Sequence, residues 1–123
     1  MVEHSRESGE QIDRASLLER VEGDQELLTE MIHLFQEDVP TLLNTMHDAL
    51  DKGDMTLLER SAHSLKGALG NLSAIATAAA AQKLEKDAKN NDVESAKKSF
   101  AEVKLALELL NPALAEICQE VSK

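Results

Sequence analysis

An all-α fold, an up-down antiparallel four-helix bundle with a short extra N-terminal helix, is predicted by three features of the sequence. First, 42% of the 123 residues are hydrophobic but only 2% are aromatic, namely Phe35 and Phe100, and Leu and Ala supply most of the remainder. That composition suits packed helices better than a sheet. Second, apolar residues recur in steps of three and four, and nothing alternates with the period of two that a strand requires. Third, the breaks between these patterns are very short, so consecutive long helices must run antiparallel.

The elements follow in order. Met1–Glu10 is polar and reads as a loose lead-in, leaving residues 11–123 as one domain with a single core. Ile12 to Val21 reads as a short amphipathic helix ending near Gly23. Asp24 can cap a long second helix by accepting its unpaired amides. The stripe of that helix runs Leu28, Ile32, Phe35, Val39, Leu42, Met46, Leu50, with a kink expected at Pro40 because the register continues beyond it. Lys52-Gly53-Asp54 combines a stop, a turn and a new cap. The next helix carries Leu58, Ala62, Leu65 and Leu69 on one stripe, with Gly70-Asn71 as its expected terminator. Ser73 is the expected cap of an alanine-rich helix from Ala74 to Asn90, whose small side chains allow close helix approach. After Asn90-Asn91, Asp92 caps a last helix built on Val93, Ala96, Phe100, Val103, Leu107 and Leu110, with a kink expected at Pro112.

Charge and composition exclude several function classes. The formal net charge of -10 lacks the basic footprint that duplex nucleic acid needs. Residues 1–62 hold 15 acids and 5 bases, whereas residues 63–123 hold 8 of each. The acidic half is either a solvated surface or a field that repels wrong partners, with Lys66, Lys83, Lys86 and Lys89 gathered where an anion could sit. No apolar run approaches the roughly 20 residues of a membrane span, and the N-terminus lacks a secretory apolar stretch. Cys118 is the one cysteine, which removes an internal disulfide or a cysteine-based zinc site and fits a reducing cytoplasm. Glu30-x-x-His33 has no second copy, so a di-metal bundle centre is rejected. No ATP-binding loop or Mg²⁺ pocket is evident.

The chemistry concentrates at His63. On a wheel of about 100° per residue it lies about 130° from the buried stripe, and so faces water or the shoulder of the bundle. Lys66 and Gly67 share its side one turn on, and Gly70 follows on the same flank. A neutral imidazole nitrogen is a competent nucleophile. Phosphoryl transfer runs in line through a loose transition state, so the receiving histidine must be accessible to a partner. Lys66 can pair with phosphate oxygens. Gly67 costs the helix about 1 kcal/mol relative to Ala, and clearance for a docking partner is a good reason to keep it.

The segment RSAHSLKGALGNLSA, Arg60 to Ala74, closely resembles the His-x-x-Lys-Gly signature of histidine phosphotransfer (HPt) domains. LLTEMIHLFQEDVPTLLNTMHDAL, Leu27 to Leu50, resembles the long second helix of that family, its proline included, and the resemblance spans roughly Ile12 to Val121. It implies that His63 carries the phosphoryl group on Nε2, that Lys66 supports it, and that Gly67 keeps the surface open. In the chemotaxis-kinase branch a Glu 22 residues after the histidine bonds its other nitrogen, and Glu85 stands at that spacing. Glu85 is therefore either an orienter of His63 or a surface carboxylate paired with Lys89. Many members carry Gly where this chain has Ser73.

The resemblance implies a phosphocarrier and not an enzyme, acting as a monomer with response-regulator receiver domains and a histidine kinase. It needs no cofactor of its own, since the partner would bind Mg²⁺. The alternatives are the phosphoacceptor domain of a chemotaxis-type kinase and a helical adaptor that has lost transfer. His4, His33 and His47 read as surface residues. Ile12, Met31 and Leu34 are candidates for an apolar docking surface, with core packing the stronger reading for Met31.

Overall fold

The computed structural model describes residues 12–121, so the lead-in assigned to 1–10, with His4, lies outside the described residues. Among those described there are five helices and no strand: α1 (Arg14–Arg20), α2 (Gln25–Lys52), α3 (Met55–Asn71), α4 (Ile75–Lys89) and α5 (Val93–Val121). Each long helix packs on two others, α2 on α3, α3 on α4, α4 on α5 and α5 back on α2, which closes a ring around one core. The α3–α4 pair packs most extensively, and Ala62, Ala81 and Ala88 are among the buried small side chains of its helices.

Helix starts follow the expected capping chemistry in three of the four long helices. Asp24, Asp54 and Asp92 each turn a carboxylate oxygen back to the amide three residues on, at 3.0, 3.1 and 3.1 Å. Asp13 does the same for α1, accepting from the Ser16 amide at 3.1 Å. That cap starts α1 at Arg14 and leaves Ile12 outside it, buried in the core. The exception is α4. Ala74 stands at its cap position and supplies no side-chain bond.

Ser73 takes another part. It is the left-handed residue, at φ +56°, that ends α3. Its amide bonds the Gly70 carbonyl at 3.0 Å and the Ala74 amide bonds the Leu69 carbonyl at 3.0 Å, the paired closure of a Schellman motif. Gly70 therefore lies inside the helix, not at its end, and the expected Gly70-Asn71 terminator is corrected to Ser73. Glu22, Gly53 and Asn91 close the other turns in the same left-handed way, at φ +54°, +72° and +61°. Gly23, at φ +77°, follows Glu22 in the first of these turns, so a search for glycine finds the turns at Gly23 and Gly53 and misses the ends at Ser73 and Asn91.

Both α2 and α5 run unbroken through their prolines, and Pro40 and Pro112 are exposed, where water can meet the carbonyls they leave unbonded. The α2 stripe is buried at Leu28, Ile32, Phe35 and Met46 but only half-buried at Val39, Leu42 and Leu50. Helix α1 adds Leu17 to the core and is held from three directions. The Asp13 amide bonds the Ser73 carbonyl at 2.9 Å, and the Ser73 hydroxyl donates to Ser16 Oγ at 3.2 Å. Arg14 pairs with Glu116 at 2.5 Å and Glu120 at 2.7 Å on α5. No described helix is long and apolar enough to cross a membrane.

Candidate functional site: an exposed histidine held by a shared carboxylate

Helix α3 buries Leu58, Ala62, Leu65 and Leu69 completely, and that register turns His63 outward. Its side chain is 65% exposed. Helix α4 buries Ala81, Leu84 and Ala88, which directs Glu85 toward α3. The two side chains meet: His63 Nδ1 lies 2.9 Å from Glu85 Oε2. Lys66 Nζ stands 2.8 Å from the other oxygen, Oε1, as a contact ion pair rather than an aligned hydrogen bond. One carboxylate, only 20% exposed, thus serves both groups of the α3 motif.

The electrostatics follow from that sharing. The Lys66 ammonium first, and the His63 hydrogen bond after it, hold the Glu85 carboxyl below its ordinary range against a partial burial that pushes it up. An ionised Glu85 can only accept, so its partner nitrogen on His63 must carry the proton. Nδ1–H then donates, and the lone pair of the neutral ring is left on Nε2. No described residue engages Nε2. The ring therefore presents a nucleophilic nitrogen to solvent with its orientation set from behind.

Of the alternatives for Glu85, its oxygens meet His63 and Lys66, and Lys89 is not among its ion pairs. The four lysines do not gather at one place: Lys66 stands at the imidazole, while Lys83 reaches Glu102 on α5 at 3.4 Å. Gly67 is exposed, and a Cβ added at Gly67 or Gly70 would meet nothing within 4 Å. No internal packing explains either glycine. Of the apolar docking candidates, Ile12 is buried, Met31 packs partly on the core and Leu34 is 55% exposed. Among the described residues no group of three or more metal-ligating side chains comes together. His33 and His47 are exposed.

Two neighbours were not legible from motif spacing. Ser16 and Arg20 of α1 line the same shallow groove as Lys66 and Gly70. They precede the motif by more than forty residues, and no local periodicity links them to it.

The profile of the Hpt domain family matches residues 30–116, which include His63, Lys66, Gly67 and Glu85. The chain belongs to the Hpt domain family. Among solved structures, the Hpt fold of this chain is similar to that of histidine-containing phosphotransfer protein B (HptB) from Pseudomonas aeruginosa PAO1. The TM-score is 0.83 at 23% identity, over 89% of this chain and 96% of that one. At that identity the likeness speaks to the fold. No curated protein matches the sequence. Hpt domains are phosphocarriers.

Proposed function

We propose that the chain is a phosphorelay carrier that accepts a phosphoryl group on His63 Nε2 and exchanges it with the aspartate of a receiver domain. The observation that carries the reading is the His63–Glu85 contact at 2.9 Å, which leaves Nε2 free on a well-exposed ring. In the accepting direction the Nε2 lone pair attacks phosphorus, the bond from phosphorus to the aspartyl oxygen breaks, and the aspartate leaves as a carboxylate. The ring becomes cationic while Nδ1 keeps its proton, and the Glu85 carboxylate offsets the new charge. In the donating direction the N–P bond breaks and the ring returns to neutral. Lys66, one helical turn away, can exchange its pairing with Glu85 for the phosphoryl oxygens. Gly67 leaves the partner room to approach.

In this reading the four long helices alternate in direction, since the turns joining them are two or three residues long, and residues 11–123 act as one monomeric domain in the cytoplasm. Catalysis is supplied by the partner, a histidine kinase or a receiver domain whose own carboxylates bind Mg²⁺. Incubation with a phosphorylated receiver should yield an acid-labile, base-stable phosphoprotein, and His63→Gln should abolish the label. Labelling that persists in this variant overturns the assignment.

The same contact favours a second reading, the phosphoacceptor domain of a chemotaxis-type kinase, because Glu85 occupies the spacing of that branch. Direct labelling by a cognate ATP-binding kinase domain, with no phosphorylated receiver present, selects that reading. Labelling only from a receiver selects the relay.

A further inference from the structure

We propose that Arg20 is a docking residue of the transfer reaction, pairing with a carboxylate on a receiver helix that lies in the groove between α1, α3 and α4. The inference rests on the phosphorelay reading and names the contact that selects the partner.

The groove starts at the site itself, since Lys66 forms one of its walls and contacts the Glu85 that holds His63. Its lining is rich in small residues, Gly70, Ala74, Ala78 and Ala79. Such a lining lets a second helix approach closely. Ile75, 62% exposed, offers that helix an apolar contact at one edge. Arg20, exposed on the last turn of α1, closes the other side.

Charge singles out the occupant. The chain carries 23 acidic and 13 basic residues, yet none of the residues lining this groove is acidic and two, Arg20 and Lys66, are cationic. The hollow at the start of α2 shows the opposite balance, with Asp24, Glu26 and Glu30 in its lining. An acidic surface is therefore repelled over the N-terminal half and attracted here. Lys66 is already paired with Glu85, whereas no described carboxylate pairs with Arg20. Its guanidinium is available to a partner and its position is fixed, because α1 is held by the Asp13–Ser73 and Ser16–Ser73 bonds and by Arg14.

The test uses the full chain and, from a panel of receiver domains, the one that the wild type phosphorylates fastest. Steady-state transfer, with His63 reloaded by a non-limiting excess of phosphoramidate, is measured for Arg20→Glu and for Ala79→Leu, which fills the groove from an exposed position on α4. Each should raise KM by about fivefold with kcat at saturation retained, since Arg20→Glu turns a rim attraction into a repulsion and Ala79→Leu occupies the space of the partner helix. The dependence of kcat/KM on salt should be shallower for Arg20→Glu than for the wild type. Unchanged KM for Arg20→Glu overturns the docking role of Arg20, whatever Ala79→Leu does. A fall in kcat without a change in KM also overturns it, and assigns Arg20 to the phosphoryl group instead. A wild type that labels no receiver and takes no label on His63 overturns the phosphorelay reading, and the inference falls with it.

Discussion

Glu85 divides its carboxylate between an imidazole nitrogen and an ammonium, and substitutions there separate the two tasks. Glu85→Gln keeps an oxygen that can accept from His63 Nδ1–H but removes the charge that offsets the ring and holds Lys66. A charged hydrogen bond exceeds a neutral one by about 1 kcal/mol, so phosphorylation of His63 should slow by about fivefold in this variant. Glu85→Ala loses the acceptor as well and should be slower again. Rates equal to wild type in both variants would mean that the ring needs no orienter. The depressed carboxyl also predicts a pH effect on stability. A group whose folded pKa lies below its unfolded one stabilises fully above the ordinary carboxylate range. That contribution fades as pH falls through the depressed value. Urea unfolding should thus show a constant gap between wild type and Glu85→Gln near neutral pH, closing only below about pH 4.

Helix ends and helix glycines set the next scale. Gly67 has ordinary helical surroundings and empty space where its Cβ would be. Gly67→Ala should therefore raise the unfolding free energy, by up to about 1 kcal/mol, while weakening transfer to a receiver. A gain in stability together with full transfer would remove the clearance role. Ser73 presents the converse. Its left-handed backbone costs roughly 1 kcal/mol that glycine would not incur, but its hydroxyl bonds Ser16. Ser73→Gly exchanges one for the other and should be within about 1 kcal/mol of wild type. Ser73→Ala keeps the backbone cost, loses the bond and should be the less stable of the two in denaturant unfolding. The helix-terminating role of Ser73 was hidden in the sequence for a physical reason: its hydroxyl suits an N-cap as well as a turn, and only the Schellman hydrogen bonds decide between them.

Across the whole molecule, α1 decides whether the site has one wall or two. Leu17 is 1% exposed and places a full leucine side chain in the common core. Leu17→Ala should cost about 2–4 kcal/mol, in the range of buried leucine truncations, and the unfolding transition should stay single. A cost under about 0.5 kcal/mol would mark α1 as peripheral and detach Arg20 from the groove. Arg14→Ala should matter less, at most about 1 kcal/mol, because its pairs with Glu116 and Glu120 are exposed.

Helix identity and the turning of His63 away from the buried stripe were determined by the sequence alone. Both depend on local periodicity: the Leu58, Ala62, Leu65, Leu69 stripe orients His63 whatever packs against it. The capping aspartates Asp24, Asp54 and Asp92 act within three residues and were legible for the same reason. What only the tertiary structure decided lies between elements. The choice of Glu85 between His63 and Lys89 depends on how α4 is rotated against α3, which no single helix encodes. The placement of Arg20 in the groove that Lys66 also lines depends on α1 folding back onto the α3–α4 turn. The cluster expected of four lysines failed on the same ground, because spacing along α4 does not say which neighbour each lysine faces. Residues on one helix are related by its fixed geometry; residues on different helices are related only by packing.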